Sequence, residues 1–257
     1  MFKRLRILLL LLVLLFVALN AYFDRVYSTD WDNALYVTIF PINGDGSPVS
    51  ERYIAASADS DFSALESFFE EQARDYGVEL ERPMRFARGP QVRELPPVLA
   101  PGTGMLGTMW WSLRTRYWAW RTADHGDAPK PDIELFVLYY DPATSPALPH
   151  SVGLQKGLFG IVHAFADRTM EGSNDIVIAH ELLHTLGATD KYETGTNQPL
   201  NPIGLADPEL EPLYPQMQAE LMAGRIAISE TQSEIPESLR EVVIGPLTAR
   251  EIGWIRD

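Results

Sequence analysis

The chain of 257 residues contains no cysteine. That absence excludes disulfides, thiol nucleophiles, thiolate metal sites and a lipid-modified amino-terminal cysteine, and it leaves the redox compartment open. Basic residues are scarce beside acidic ones: 21 Lys+Arg against 35 Asp+Glu, for a formal net charge of −14. Three of the basic residues, Lys3, Arg4 and Arg6, fall before residue 7, so the portion after residue 23 carries 18 basic and 35 acidic side chains, a formal −17. A body this acidic is repelled by polyanions and anionic lipid, so no nucleic-acid partner is expected. No internal repeat and no low-complexity tract occurs beyond the amino-terminal leucine run. The length fits one domain with subdomains, or two small ones.

Residues 7–19 form an apolar run that extends to Phe23 behind the basic flank. The flank predicts a cytoplasmic amino terminus and translocation of everything after it. A single-pass anchor over residues 1–23 is favoured over a cleaved signal, because cleavage after Ala21 would put Leu19 where a small residue is wanted. The expected location is the inner membrane with the body on the periplasmic side, or secretion if the segment is removed. Residues 24–33 read as a polar tether.

Residues 34–41 are β-branched and aromatic and predict a strand, followed by a turn cluster at 43–48. Helical spacing predicts a helix from Phe62 to Ala73. Residues 78–86 predict a second strand interrupted by Pro83, and 95–104 a loop. Leu106, Trp110, Leu113, Tyr117 and Trp120 recur at helical spacing with Arg114, Arg116 and Arg121 among them. They predict a helix that packs its aromatic face on a sheet, a better fit to the surrounding acidity than a base-stacking surface. Residues 132–140 predict a central strand, and 157–166 another strand, weakened or kinked at Gly160. Ser173, Asn174 and Asp175 offer capping oxygens ahead of an apolar helix ending near Leu186. Beyond it, 201–215 reads as loop, 216–221 as a short helix, and Thr248 to Glu251 as a capping box for a last helix over 252–255.

The stretch that carries chemistry is His180-Glu181-Leu182-Leu183-His184-Thr185-Leu186-Gly187-Ala188-Thr189-Asp190. On a helix, His180 and His184 lie one turn apart on one face and reach a common metal ion. Glu181 sits beside them as a candidate general base. The bare five-residue pattern arises by accident in fewer than roughly one in a hundred chains of this length. Gly187 can take the left-handed conformation that ends a helix, which lets the chain reverse and return Asp190 toward the imidazoles. Two His, one Asp and a water suit Zn2+ with one open position. The competing third ligand is Glu209 or Glu211. His125, His150 and His163 lack a partner pattern and are placed outside the site.

His180, Glu181, His184, Gly187 and Asp190 resemble the metzincin metallopeptidase motif in its aspartate-ending, snapalysin-like form. The resemblance implies an α+β, zincin-like fold. Its parts would be a twisted mixed sheet with 157–166 as the edge strand along which an extended peptide lies, an active-site helix closing a subdomain over 34–187, and a mostly irregular subdomain over 188–257. It also implies a methionine turn beneath the metal, for which Met222 with nearby Gly224 is the first candidate and Met217 the second. Asp190 replaces the commoner third His, and Gly224 stands where some relatives carry a tyrosine; Tyr192 is the nearest substitute as a hydrogen-bond donor. The implied activity is a membrane-tethered, extracytoplasmic zinc endopeptidase acting on a polypeptide. The alternatives are a zinc hydrolase of non-polypeptide amides such as cell-wall components, and a binding or assembly protein with a structural zinc.

Overall fold

The strand Ile133–Tyr140 (β3) is apolar toward both of its faces, and six of its eight side chains are buried. A strand of that kind belongs in the middle of a sheet covered on both sides. In the computed structural model it has that place. The described residues are 28–100, 102–125, 130–155 and 158–256, with 6, 7, 11, 12 and 15 near the amino terminus. Leu35–Asn43 (β1) and Met84–Arg88 (β2) lie to one side of β3, and Phe159–Phe165 (β5) and Val152–Leu154 (β4) to the other, in the order β2-β1-β3-β5-β4. All neighbours are parallel except β4, which runs antiparallel to β5 with Gly153 opposite Gly160.

Helices cover both faces. Pro48–Ala56 (α1), Ser63–Asp75 (α2) and Glu171–Leu186 (α4) share one core with Ile39, Leu135, Val137 and Val162. Met105–Thr122 (α3) covers the other face, where Trp118 and Ala119 pack on Phe40, Phe136 and Leu138. After α4 the short strands Ala219–Glu220 (β6), Ile226–Ala227 (β7), Ser233–Glu234 (β8) and Val242–Val243 (β9) lead to a last helix, Pro246–Glu251 (α5). Trp31 packs edge-on against Trp254, with centroids 5.6 Å apart, and donates its indole N–H to Ile252 O at 2.7 Å.

The α+β expectation with a transmembrane segment is therefore corrected. Strands and helices alternate in a mixed α/β arrangement around a five-stranded sheet. Among the described residues no helix is long and apolar enough to cross a membrane. Most of residues 1–23, to which the anchor was assigned, lie outside the described residues.

Other differences are local. Helix α1, which the sequence did not predict, begins at the last residue of the turn cluster over 43–48; Ser47 caps it by accepting from Ser50 N at 3.0 Å, and Pro48 opens it, a pairing that favours helix initiation. The segment from 159 is not an edge: β5 is bonded on both sides, and the edge is the three-residue β4. Asn174 does not cap α4, which starts at Glu171; its amide instead clasps Phe165 of β5, accepting from the N–H and donating to the C=O, both at 2.9 Å. The helix expected over 216–221 is replaced by strand β6, paired with β9. The last helix runs before Ile252, and Thr248 donates its hydroxyl to Glu220 at 2.6 Å. Helix α3 turns the five residues expected in the core outward: Leu106 is 78% and Trp120 73% exposed.

Candidate metal centre

His180 and His184 lie a turn apart on α4, rings nearly perpendicular and centroids 4.7 Å apart. His180 Nδ1 is 3.0 Å from Leu221 O, and His184 Nδ1 is 2.8 Å from Ala188 O. A carbonyl oxygen only accepts, so each Nδ1 donates and each Nε2 keeps its lone pair toward the other ring. The two Nε2 atoms are 3.1 Å apart. Asp190 Oδ1 lies 3.2 Å from the first and 3.1 Å from the second. Three acceptors thus face one point, an arrangement that repels itself unless a cation lies among them. In a tetrahedral site with bonds of about 2.0–2.1 Å, ligand atoms stand about 3.3 Å apart. The donor set and its spacing fit zinc.

The local field has the same sign preference. Burial depresses the basicity of His180, but Asp190 and the charge of Glu181 outweigh it and hold the imidazole above its usual range. His184 is pushed down by burial and by His180. The nearness of His180, opposed by burial and helped by His184, holds the Asp190 carboxyl low.

Asp190 arrives through a reversal after α4. Gly187 adopts φ +106°, and Ala188 N bonds back to Leu183 O at 3.0 Å, a left-handed helix end. A Cβ there would also meet Gln155 Nε2 at 2.4 Å, but that is the end of a flexible side chain that can move aside, so the left-handed φ is what calls for glycine. The loop is then clamped from α5. Glu251 accepts from Thr189 N at 3.0 Å and from Thr189 Oγ1 at 2.7 Å, while the wholly buried Lys191 donates to Glu251 at 2.7 Å and to Thr189 O at 2.6 Å. Burial pushes the Glu251 carboxyl up, but Lys191 and Thr189 together hold it below its usual range. The turn below His180 is fixed as well: Met222 is fully buried, and Met222 O accepts from Lys191 N at 2.9 Å. Buried Glu220 accepts from Ala223 N at 3.0 Å and Gly245 N at 3.1 Å.

Glu181 is buried beside the triangle. Burial raises its carboxyl to about 7, against the opposing charge of His180 and a backbone bond from Gly153. Among the described residues its Oε2 has no hydrogen-bond partner. Edge strand β4 lies against α4 here because residue 153 is glycine; a Cβ would come within 2.3 Å of Glu181 O and 2.5 Å of His184 Cβ. A cleft of about 330 Å³ opens from His180 and Glu181, walled by Ile176, Val177 and Ile235, with Tyr192 also on its wall.

Of the residues singled out in sequence, His180, His184 and Asp190 are brought together with Glu181 adjacent and the turn of Met222 below. Glu209 and Glu211 lie exposed in the loop after residue 201, outside the cluster. His125 pairs with Glu134 at 3.1 Å under α3. His150 and His163, placed outside the site by sequence, line the cleft, and burial holds His163 down to about 4. Sequence reasoning missed Gly153, Lys191 and Glu251. Only Lys191, next to Asp190, carried a local signal. No profile of a known protein family matches the chain, and a search of curated proteins finds no match either.

Proposed function

We propose that the protein is a zinc-dependent endopeptidase of the metzincin-like kind, with His180, His184 and Asp190 as metal ligands and Glu181 as general base. One observation carries the reading: three acceptor atoms 3.1–3.2 Å apart stand beside a buried carboxylate with an unpartnered oxygen. Among the described residues no fourth His, Asp or Glu joins the group, which supports a catalytic site with an open position over a closed structural one. When bound there, zinc supplies a water of lowered pKa and a Lewis acid for a carbonyl.

The chain's own residues do the rest. Glu181, with its carboxyl raised to about 7, accepts a proton at Oε2 from the attacking water and returns it to the departing amine. Among the described residues the outer side of β4 is paired with no strand, so an extended polypeptide can add to it by backbone hydrogen bonds. The cleft beside Glu181 takes the side chain that follows the scissile bond. Tyr192, whose hydroxyl is held protonated by burial and by Asp190, would donate to developing negative charge on the carbonyl oxygen.

The test is elemental analysis of purified protein paired with casein digestion in the presence and absence of a chelator. Wild type is expected to hold one zinc and to digest casein in a chelator-sensitive manner. Glu181→Gln is expected to hold zinc equally and to lose most turnover; full turnover in that variant would falsify the assignment.

A further inference from the structure

Helix α3 presents an apolar face to solvent that nothing in the sheet needs. At about 100° per residue, Leu106, Trp110, Leu113, Tyr117 and Trp120 fall on one side, all well exposed, while Thr115, Trp118 and Ala119 occupy the buried side. Val98 in the preceding loop is exposed too, and Trp111 ties that loop to the helix by donating to Pro97 O at 2.7 Å. Isolated exposed apolar residues are ordinary, but a contiguous stripe along a helix marks a contact surface.

Its chemistry selects the occupant. Residues 95–123 hold three arginines and no acidic side chain, in a chain of formal charge −14. Arg114 is exposed at the border of the stripe, and Arg121 lies over the Tyr117 ring at 5.9 Å while it pairs with Glu94. Trp and Tyr rings flanked by Arg, on a helix whose remaining side is already packed, suit the boundary between headgroups and acyl chains. We infer that α3 docks on a phospholipid surface containing anionic lipid. The whole-body charge opposes approach, but at physiological salt it is screened beyond about 8 Å, so the local patch governs contact.

The test uses the full chain, whose lack of cysteine makes Leu113→Cys and Glu230→Cys single attachment points for an environment-sensitive fluorophore. Glu230 is exposed between β7 and β8 and reports on the opposite outcome. With vesicles of phosphatidylcholine and phosphatidylglycerol, the label at 113 is expected to shift to the blue and to be quenched by nitroxide-bearing lipid. The label at 230 is expected to stay in water. Adding Arg114→Glu to Leu113→Cys is expected to weaken the quenching curve roughly tenfold or more, since each basic side chain near such a surface matters by that order. No quenching at 113, or equal quenching at both positions, overturns the inference. So does a label at 113 that is shielded without lipid in proportion to protein concentration, which would mean a second copy sits on this face.

Discussion

Replacing Lys191 by Met separates metal positioning from folding in a way the structure makes quantitative. Lys191 is wholly buried, and its ammonium donates to Glu251, Thr189 O and Thr189 Oγ1. Methionine fills similar volume but leaves Glu251 without its counter-ion. Breaking a fully buried pair destabilises by about 3–5 kcal/mol. Glu251 keeps 21% of its side-chain exposure and two bonds from Thr189, so the lower figure of about 2–3 kcal/mol for a charged hydrogen bond applies. Glu251→Gln in the same background is expected to recover part of that loss, because it removes the uncompensated charge. The second consequence concerns zinc. Thr189 and Lys191 flank Asp190, so freeing both lets the carboxylate leave the triangle, and changes in such supporting contacts typically weaken metal binding about 10–100-fold. Denaturant unfolding with a chelator present reads the first effect, and competition against a chromophoric chelator reads the second. A Lys191→Met protein that is less stable yet binds zinc like wild type would refute the clamp and leave the network a purely structural device.

Gly153→Ala places a methyl group 2.3 Å from Glu181 O; β4 must lift from α4, and a drop of about 1–3 kcal/mol in stability is expected with loss of proteolysis but retention of zinc, read by unfolding, digestion and elemental analysis. Adding zinc at about a thousand times its Kd is expected to stabilise the fold by about 4 kcal/mol, visible as a raised Tm that EDTA reverses and that Asp190→Ala largely abolishes. Asp175 has its carboxyl raised from 3.8 to about 7, mainly by burial and further by Glu171 and Asp61. The folded state then binds the extra proton, so stability is greatest below pH 4 for this group and falls as pH rises from about 4 to about 7. Unfolding in chelator across that range should show the decline in wild type and a flatter profile in Asp175→Asn.

What could be read before the fold was known is what depends on short range. Two histidines four apart share a face because of helix pitch, and Gly187 announces a reversal because few other residues accept φ near +106°. The central strand announces itself because both its faces are apolar. The clamp was hidden because Lys191 and Glu251 lie sixty residues apart, and Glu251 also fitted a local capping pattern that competes with the distant one. Helix α3 was turned the wrong way round for a different reason: Trp111, Trp118 and Ala119 oppose Trp110, Tyr117 and Trp120, so apolar residues occur on both sides and the period alone does not say which one meets the sheet. Strand β4, three residues long with Gly153 in the middle, is too short to show an alternation.

The two-faced sheet has a consequence for orientation. Helix α4, which bears the histidines, and helix α3, which bears the exposed aromatic stripe, lie on opposite sides of the same five strands. A molecule resting on α3 would hold its histidine helix on the side away from the support, turned toward freely diffusing chains rather than toward anything embedded beneath it.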